Sequence, residues 1–160
     1  MEIIYLAGGC LWGVQAFIKT IPGVIKTEAG RANGLSHTLD GNYDGYAECV
    51  KTTFDPEKLN VQDLIDHLFM IINPYSVNRQ GNDIGKKYRT GIYSNDEQHL
   101  HEAEKYIAAR TDRDRIAVEV KPLINYVPSA EEHQDHLDKY PDHYCHIPYE
   151  LMTKYKEKEI

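Results

Sequence analysis

Cys10 carries the sharpest chemical signature in the chain. It follows Gly8-Gly9 and precedes Leu11, Val14, Phe17, Ile18 and Ile21, whose apolar side chains recur at helical spacing. A thiol at such a strand-to-helix turn meets unpaired N–H groups and the positive end of the helix dipole. Helix N-termini can bring a thiol pKa from about 8.5 to about 3.5–7.5, which makes it a thiolate nucleophile at neutral pH. The position suits equally a buried small apolar residue, the ordinary fate of a free cysteine. Glu48 is the second candidate. Alternation along Tyr46 to Phe54 puts Tyr46, Glu48, Val50 and Phe54 on one strand face, and Ala47, Cys49, Lys51 and Thr53 on the other. The first face reads as the more buried. A carboxyl among apolar neighbours loses solvation, and its pKa rises into the range of a general acid. On an edge strand the same residue would face water instead. Cys49 shares no face with Glu48, so it reads as structural.

Two further clusters could do chemistry. Asn78 to Gly85 packs polar side chains between glycines and is followed by Lys86, Lys87, Tyr88 and Arg89, a density found in functional loops and in ordinary solvated turns alike. His133, His136, His143, Cys145 and His146 crowd fourteen positions, but their spacing matches no zinc signature and no Cys-x-x-Cys is present. No metal site is expected.

These residues need elements to hold them. Met1 to Leu6 reads as a strand, Val24 to Ala29 as a β-rich segment, Gly30 to Asp44 as a polar loop and Tyr46 to Phe54 as a strand. Asn60 with Asp63 resembles a capping box ahead of the stripe Val61, Leu64, Ile65, Leu68, Phe69 and Ile72, and Pro74 ends that helix. Tyr75 to Lys87 reads as a polar loop and Tyr88 to Tyr93 as a strand. Ser94 with Glu97 is expected to cap a helix running to about Arg110, with Leu100, Ala103 and Ile107 inward. Ile116, Val118 and Val120 alternate as a strand, and Pro128, Ser129 and Glu132 announce a short helix. The alternation of strands and helices predicts an α+β fold with helices packed on a mixed or antiparallel sheet. No repeat or linker divides residues 1–160.

With 160 residues the chain buries about two-thirds of its unfolded surface in one core. Its 18 Lys+Arg against 25 Asp+Glu give a net charge of −7, so no general field attracts nucleic acid. The apolar run Ile3 to Ala7 falls far short of the roughly 20 residues that span a bilayer. Leu6 to Cys10 has the outline of a lipoprotein processing site, but Glu2 stands where a basic segment belongs, and neither lipidation nor a membrane association is expected. Three cysteines fit a reducing cytoplasm better than a secreted disulfide scaffold.

Several motifs in order carry a family resemblance. Gly9-Cys10-Leu11-Trp12-Gly13, Pro22-Gly23-Val24, Gly45-Tyr46-Ala47-Glu48, Phe54-Asp55-Pro56, Asn78 to Asp83, Tyr88-Arg89, His133-Gln134 and Tyr144-Cys145 together resemble the methionine sulfoxide reductase A family. The resemblance spans most of the chain. It implies a single-domain, ferredoxin-like catalytic fold over residues 1–160, with a C-terminal segment from about 140 able to rearrange. It also implies reduction of methionine-S-sulfoxide, free or in proteins, with Cys10 as nucleophile and Glu48 as the acid that protonates the sulfoxide oxygen. Trp12, with Leu11 in place of the usual Phe, falls on the apolar wall for the substrate methyl group, and Asp83 and Tyr88 fall on substrate-site residues. The loop ahead of Glu48 is short for the family and Tyr46 stands where a His is usual, so the second sulfoxide-binding tyrosine is expected at Tyr43, with Tyr46 next. Cys145 falls on the recycling cysteine, thioredoxin is the implied reductant, no bound cofactor is required, and a monomer is expected. A thiol peroxidase would use the same activated cysteine without an apolar pocket beside an acid, and a non-catalytic ligand-binding α+β domain would not need Cys10.

Overall fold

The computed structural model describes residues 1–9, 11–35, 43–81 and 83–135. Cys10, Asn82, the Asp40-Gly41 turn, Cys145 and the C-terminal segment expected to rearrange lie outside the described residues.

Strand β1 (Glu2–Gly8) leads to helix α1 (Leu11–Ile18), and β2 (Val24–Ala32) and β3 (Ala47–Phe54) precede helix α2 (Val61–Ile71). A small hairpin, β4 (Arg79–Gln80) and β5 (Asp83–Ile84), and a 3₁₀ turn at Lys86–Tyr88 lead into β6 (Thr90–Ser94). Helix α3 (Glu97–Ala108) and strands β7 (Glu119–Pro122) and β8 (Tyr126–Pro128) follow. Six strands form one sheet in the order β7-β6-β1-β3-β2-β8. All neighbours are antiparallel except β6 and β7, which α3 connects as a parallel crossover. The inner order β6-β1-β3-β2, with α1 and α2 as crossovers, is the βαββαβ arrangement expected from the sequence, and β7 and β8 extend it at its two edges.

Alternation sorts the sheet's side chains onto two faces. Ile4, Leu6, Val50, Phe54 and Ile92 meet Val14, Phe17 and Ile18 of α1, Leu64, Ile65 and Leu68 of α2 and Ala103 of α3 in the main core. Tyr5, Ala7, Ala32, Ala47, Cys49 and Tyr93 form a second buried cluster on the opposite face, covered by Leu123 and Tyr126. Both faces of β3 are therefore buried around Glu48, where one had been expected to dominate. The difference comes from β8, whose Tyr126 lies over β2 where Gly30 leaves room for its ring. No helix among the described residues is long and apolar enough to cross a membrane.

Most elements fall where patterning puts them, and the exceptions have physical causes. The Asn60–Asp63 capping box is present with both reciprocal bonds, 2.8 and 3.2 Å. The next helix is capped by Asp96, not Ser94: the Asp96 carboxylate accepts from the Gln98 N–H at 2.9 Å. Ser94 Oγ is spent on the Asp96 N–H and His99 Nδ1. His99 then occupies the buried position beside Ala103 that was expected of Leu100. The expected strand at Ile116–Val120 begins three residues later, because Ile116 closes a 3₁₀ turn. The short helix expected after Pro128 is a 3₁₀ turn at Glu131–His133, and β8 escaped notice because three residues ending in proline show no alternation.

Candidate active site

The turn from β1 into α1 depends on its glycines. Gly9 has φ +97°, a conformation that strains an L side chain. A Cβ on Gly8 would come within 3.0 Å of Ile72 and 3.1 Å of Leu68 and Val14, so the turn lies close against α2. Cys10 is the link between this turn and the first residue of α1. The first N–H groups of a helix lack intrahelical partners. That of Leu11, the residue that follows Cys10 in sequence, is bonded to the carboxylate of Glu48. The register agrees, since Leu6 of β1 pairs with Val50 of β3, and Gly8 and Glu48 lie two residues beyond that pair.

Desolvation is the main influence on Glu48 and pushes its pKa up to about 7. Lys87, the Leu11 N–H and Arg31 pull it down, while the neighbouring carboxylate of Asp83 adds to the rise. A carboxyl raised this far lies in the range that general acid catalysis at neutral pH requires.

Glu48 opens into a cavity of about 350 Å³ lined by Leu11, Trp12, Arg31, Tyr46, Glu48, Asp83, Lys87, Tyr88, Ser129 and His133. Leu11 and Trp12 supply an apolar wall, with the Trp12 indole stacked 6.1 Å from the His133 ring and its Nε1–H donating to His133 Nδ1 at 3.3 Å. Tyr88 follows from the 3₁₀ turn, its hydroxyl accepting from Lys87 and its pKa raised, first by desolvation and then by Glu48. Asp83 arrives on the β4–β5 hairpin. Buried Gln80 ties that hairpin to the end of α2 through the Asn73 N–H (2.8 Å) and C=O (2.9 Å).

The last described stretch closes the site from above. Gln134 bonds both backbone groups of Ala29 on β2, at 2.8 and 2.9 Å, and also donates to the Ser129 C=O at 3.0 Å. The Asp135 N–H donates to Gln15 Oε1 at 2.9 Å, and Lys19 pairs with the Asp135 carboxylate at 3.0 Å. This clamp sets His133 over Trp12 and delivers the chain to α1, the helix that Cys10 precedes.

Of the residues singled out from sequence, Leu11, Trp12, Glu48, Asp83 and Tyr88 meet around one cavity. Tyr43 does not line it: its hydroxyl donates to the Tyr46 C=O at 2.7 Å, and Tyr46 lines the cavity instead. Cys49 is buried on the far sheet face, its thiol pKa raised chiefly by desolvation. Arg31, Lys87, Ser129 and His133 had not been assigned to a site. His133 was visible in the His133-Gln134 motif and Lys87 in the basic run, whereas Arg31 is found only through its pairing opposite Glu48.

An α+β domain with a half-buried carboxyl of raised pKa that opens into an apolar-walled cavity and is bonded to the residue after a cysteine fits the class of thiol-dependent oxidoreductases. A family model described as Peptide methionine sulfoxide reductase matches residues 2–160. Peptide methionine sulfoxide reductase MsrA of Clostridium acetobutylicum is 42% identical over 170 residues, covering 97% of this chain and 100% of that protein. Among solved structures, Mxr1 from Saccharomyces cerevisiae in reduced form superposes with TM-score 0.83 at 26% identity, over 90% of this chain and 88% of that one. Methionine sulfoxide reductase A of Corynebacterium diphtheriae gives 0.80 at 30% identity, over 90% and 77%. The chain belongs to the peptide methionine sulfoxide reductase family.

Proposed function

We infer that the chain is a peptide-methionine (S)-S-oxide reductase that returns methionine-S-sulfoxide to methionine, with Cys10 as nucleophile and Glu48 as acid. The observation that carries this reading is the half-buried Glu48 carboxyl, raised to about 7, bonded to the Leu11 N–H and open to a cavity walled by Leu11 and Trp12. Sulfoxide oxygen leaves poorly until protonated, so a thiolate needs an acid beside it. The Cys10 thiolate attacks the sulfoxide sulfur as the oxygen takes the Glu48 proton, and the hydroxyl then passes from the substrate sulfur to the Cys10 sulfur as the new S–S bond breaks, which releases methionine and leaves Cys10 as a sulfenic acid. Tyr88 and Tyr46 are the hydroxyls placed to polarise the S–O bond, and Asp83 contributes to the substrate site. The apolar wall of Leu11 and Trp12 takes the methyl group and so selects one epimer.

Cys145 then attacks the sulfenic sulfur, releasing water and forming a disulfide, which a dithiol protein such as thioredoxin reduces by exchange. Residues 1–160 act as one catalytic unit, a monomer working in the reducing cytoplasm that three cysteines suggest.

Thioredoxin-coupled NADPH oxidation with methionine-S-sulfoxide, its R epimer and hydrogen peroxide tests the reading. Turnover of the S epimer alone is expected. Turnover of peroxide alone would reassign the protein as a thiol peroxidase.

A further inference from the structure

A second recess of about 240 Å³ adjoins the Glu48 cavity and shares Tyr46 and Lys87 with it. Its other walls are Tyr43, Gly85 and Lys86. Its tyrosines are fixed: Tyr43 and Tyr46 meet edge to face at 4.7 Å, the Tyr43 hydroxyl is bonded to the Tyr46 C=O and to Arg89, and the Arg31 guanidinium lies 4.5 Å from the Tyr46 ring centre. The turn bearing the lysines is fixed too, by the Gly85 N–H on the Asn78 C=O at 2.8 Å.

The charge of this shelf is unusual for the molecule. The chain is net −7, yet both charged side chains that line the recess are lysines. Lys86 is exposed and has no ion pair with any described residue. Lys87 spends one donor on the Tyr88 hydroxyl and stays cationic. The carboxylates Glu48 and Asp83 belong to the neighbouring cavity, and Asp44 flanks Tyr43 without lining the recess. While Glu48 keeps its proton, it does not neutralise Lys87. An anion approaching an otherwise negative protein therefore meets attraction at the mouth of the site.

We propose that the shelf of Tyr43, Tyr46, Lys86 and Lys87 receives a carboxylate of the substrate and so selects anionic methionine sulfoxides. This rests on reading the adjoining cavity as the sulfoxide site and names the substrate class that site takes. A carboxylate can come from an acidic residue beside methionine sulfoxide in a protein, or from the main-chain terminus of methionine sulfoxide itself.

Steady-state kinetics with two matched pairs separates these sources. One pair is an end-blocked peptide with Asp or Lys beside methionine-S-sulfoxide. The other is N-acetyl-methionine-S-sulfoxide and its amide. Uncharged methyl p-tolyl sulfoxide is the reference for each enzyme. In the wild type at low salt, kcat/KM should favour the anionic member of at least one pair by about two- to fivefold, the strength of an exposed ion pair. The responding pair identifies the source. The preference should vanish in 0.5 M salt and in Lys86→Gln, and invert in Lys86→Glu. Equal kcat/KM within both pairs, or a preference untouched by either Lys86 substitution, overturns the proposal. Failure to reduce any sulfoxide, the reference included, would overturn the sulfoxide-site reading beneath it.

Discussion

Glu48 joins the two requirements of the reaction in one side chain. Burial raises its pKa to about 7, and its bond to the Leu11 N–H fixes it at the start of α1, next in sequence to the proposed nucleophile Cys10. Single-turnover rates should fall above about pH 7 as the carboxyl ionises, approaching tenfold per pH unit. Glu48→Gln should lower the rate by about 10²–10⁴-fold and abolish this alkaline limb. The same residue links pH to stability. A carboxyl whose pKa rises from 4.5 to about 7 on folding adds stability that is complete below pH 4.5 and lost as pH rises through 7. Gln imitates the protonated form, so thermal melts of Glu48→Gln should match the wild type near pH 4 and exceed it by about 5 °C at pH 8. A constant offset at all pH values would remove the burial argument. This residue was legible in the sequence because strand alternation set it beside Val50 and Phe54. Arg31 and Lys87 were not, since their proximity to Glu48 depends on strand pairing and on a 3₁₀ turn.

Among the elements, the last described turn bears on the proposed recycling step. Gln134 bonds both backbone groups of Ala29, whose C=O also accepts from the Ser129 N–H at 2.9 Å, and so acts as a piece of strand beyond the end of β8. Gln134→Ala should cost about 1–3 kcal/mol in chemical denaturation, the cost of leaving the Ala29 N–H unpaired. It should also slow thioredoxin-dependent turnover more than the first release of methionine. Equal slowing of both would make the clamp part of the substrate site only. Helices α1 and α2 were readable from apolar periodicity and the Asn60–Asp63 box. The cap of α3 was misplaced because Ser94 and Asp96 are both good caps by type, and the choice was made by His99, a tertiary partner of Ser94 and Glu2. Strand β8 owes its existence to the edge of β2, a partner that local patterning does not reveal.

At the scale of the molecule, the fold returns the chain to the helix that Cys10 precedes. Asp135 is tied to Gln15 and Lys19 of that region, and Cys145 follows ten residues later, a span that reaches about 33 Å at most. The pairing of Cys145 with Cys10 proposed above draws on that span. Cys49 lies in the buried cluster on the sheet face opposite the helices. Cys49→Ala should turn over normally with thioredoxin. Cys145→Ser should release one methionine per enzyme and stall with thioredoxin, while dithiothreitol restores cycling. The central claim is that Cys10 takes the oxygen of one sulfoxide epimer with Glu48 as acid. Its most direct test is to mix reduced enzyme with each epimer in the absence of reductant, quantify methionine and map the thiols by mass spectrometry. The account predicts one methionine per enzyme from the S epimer, none from the R epimer, and a Cys10–Cys145 disulfide with Cys49 still reduced. Methionine from both epimers alike, or methionine formed while the Cys10 thiol remains intact, would contradict it.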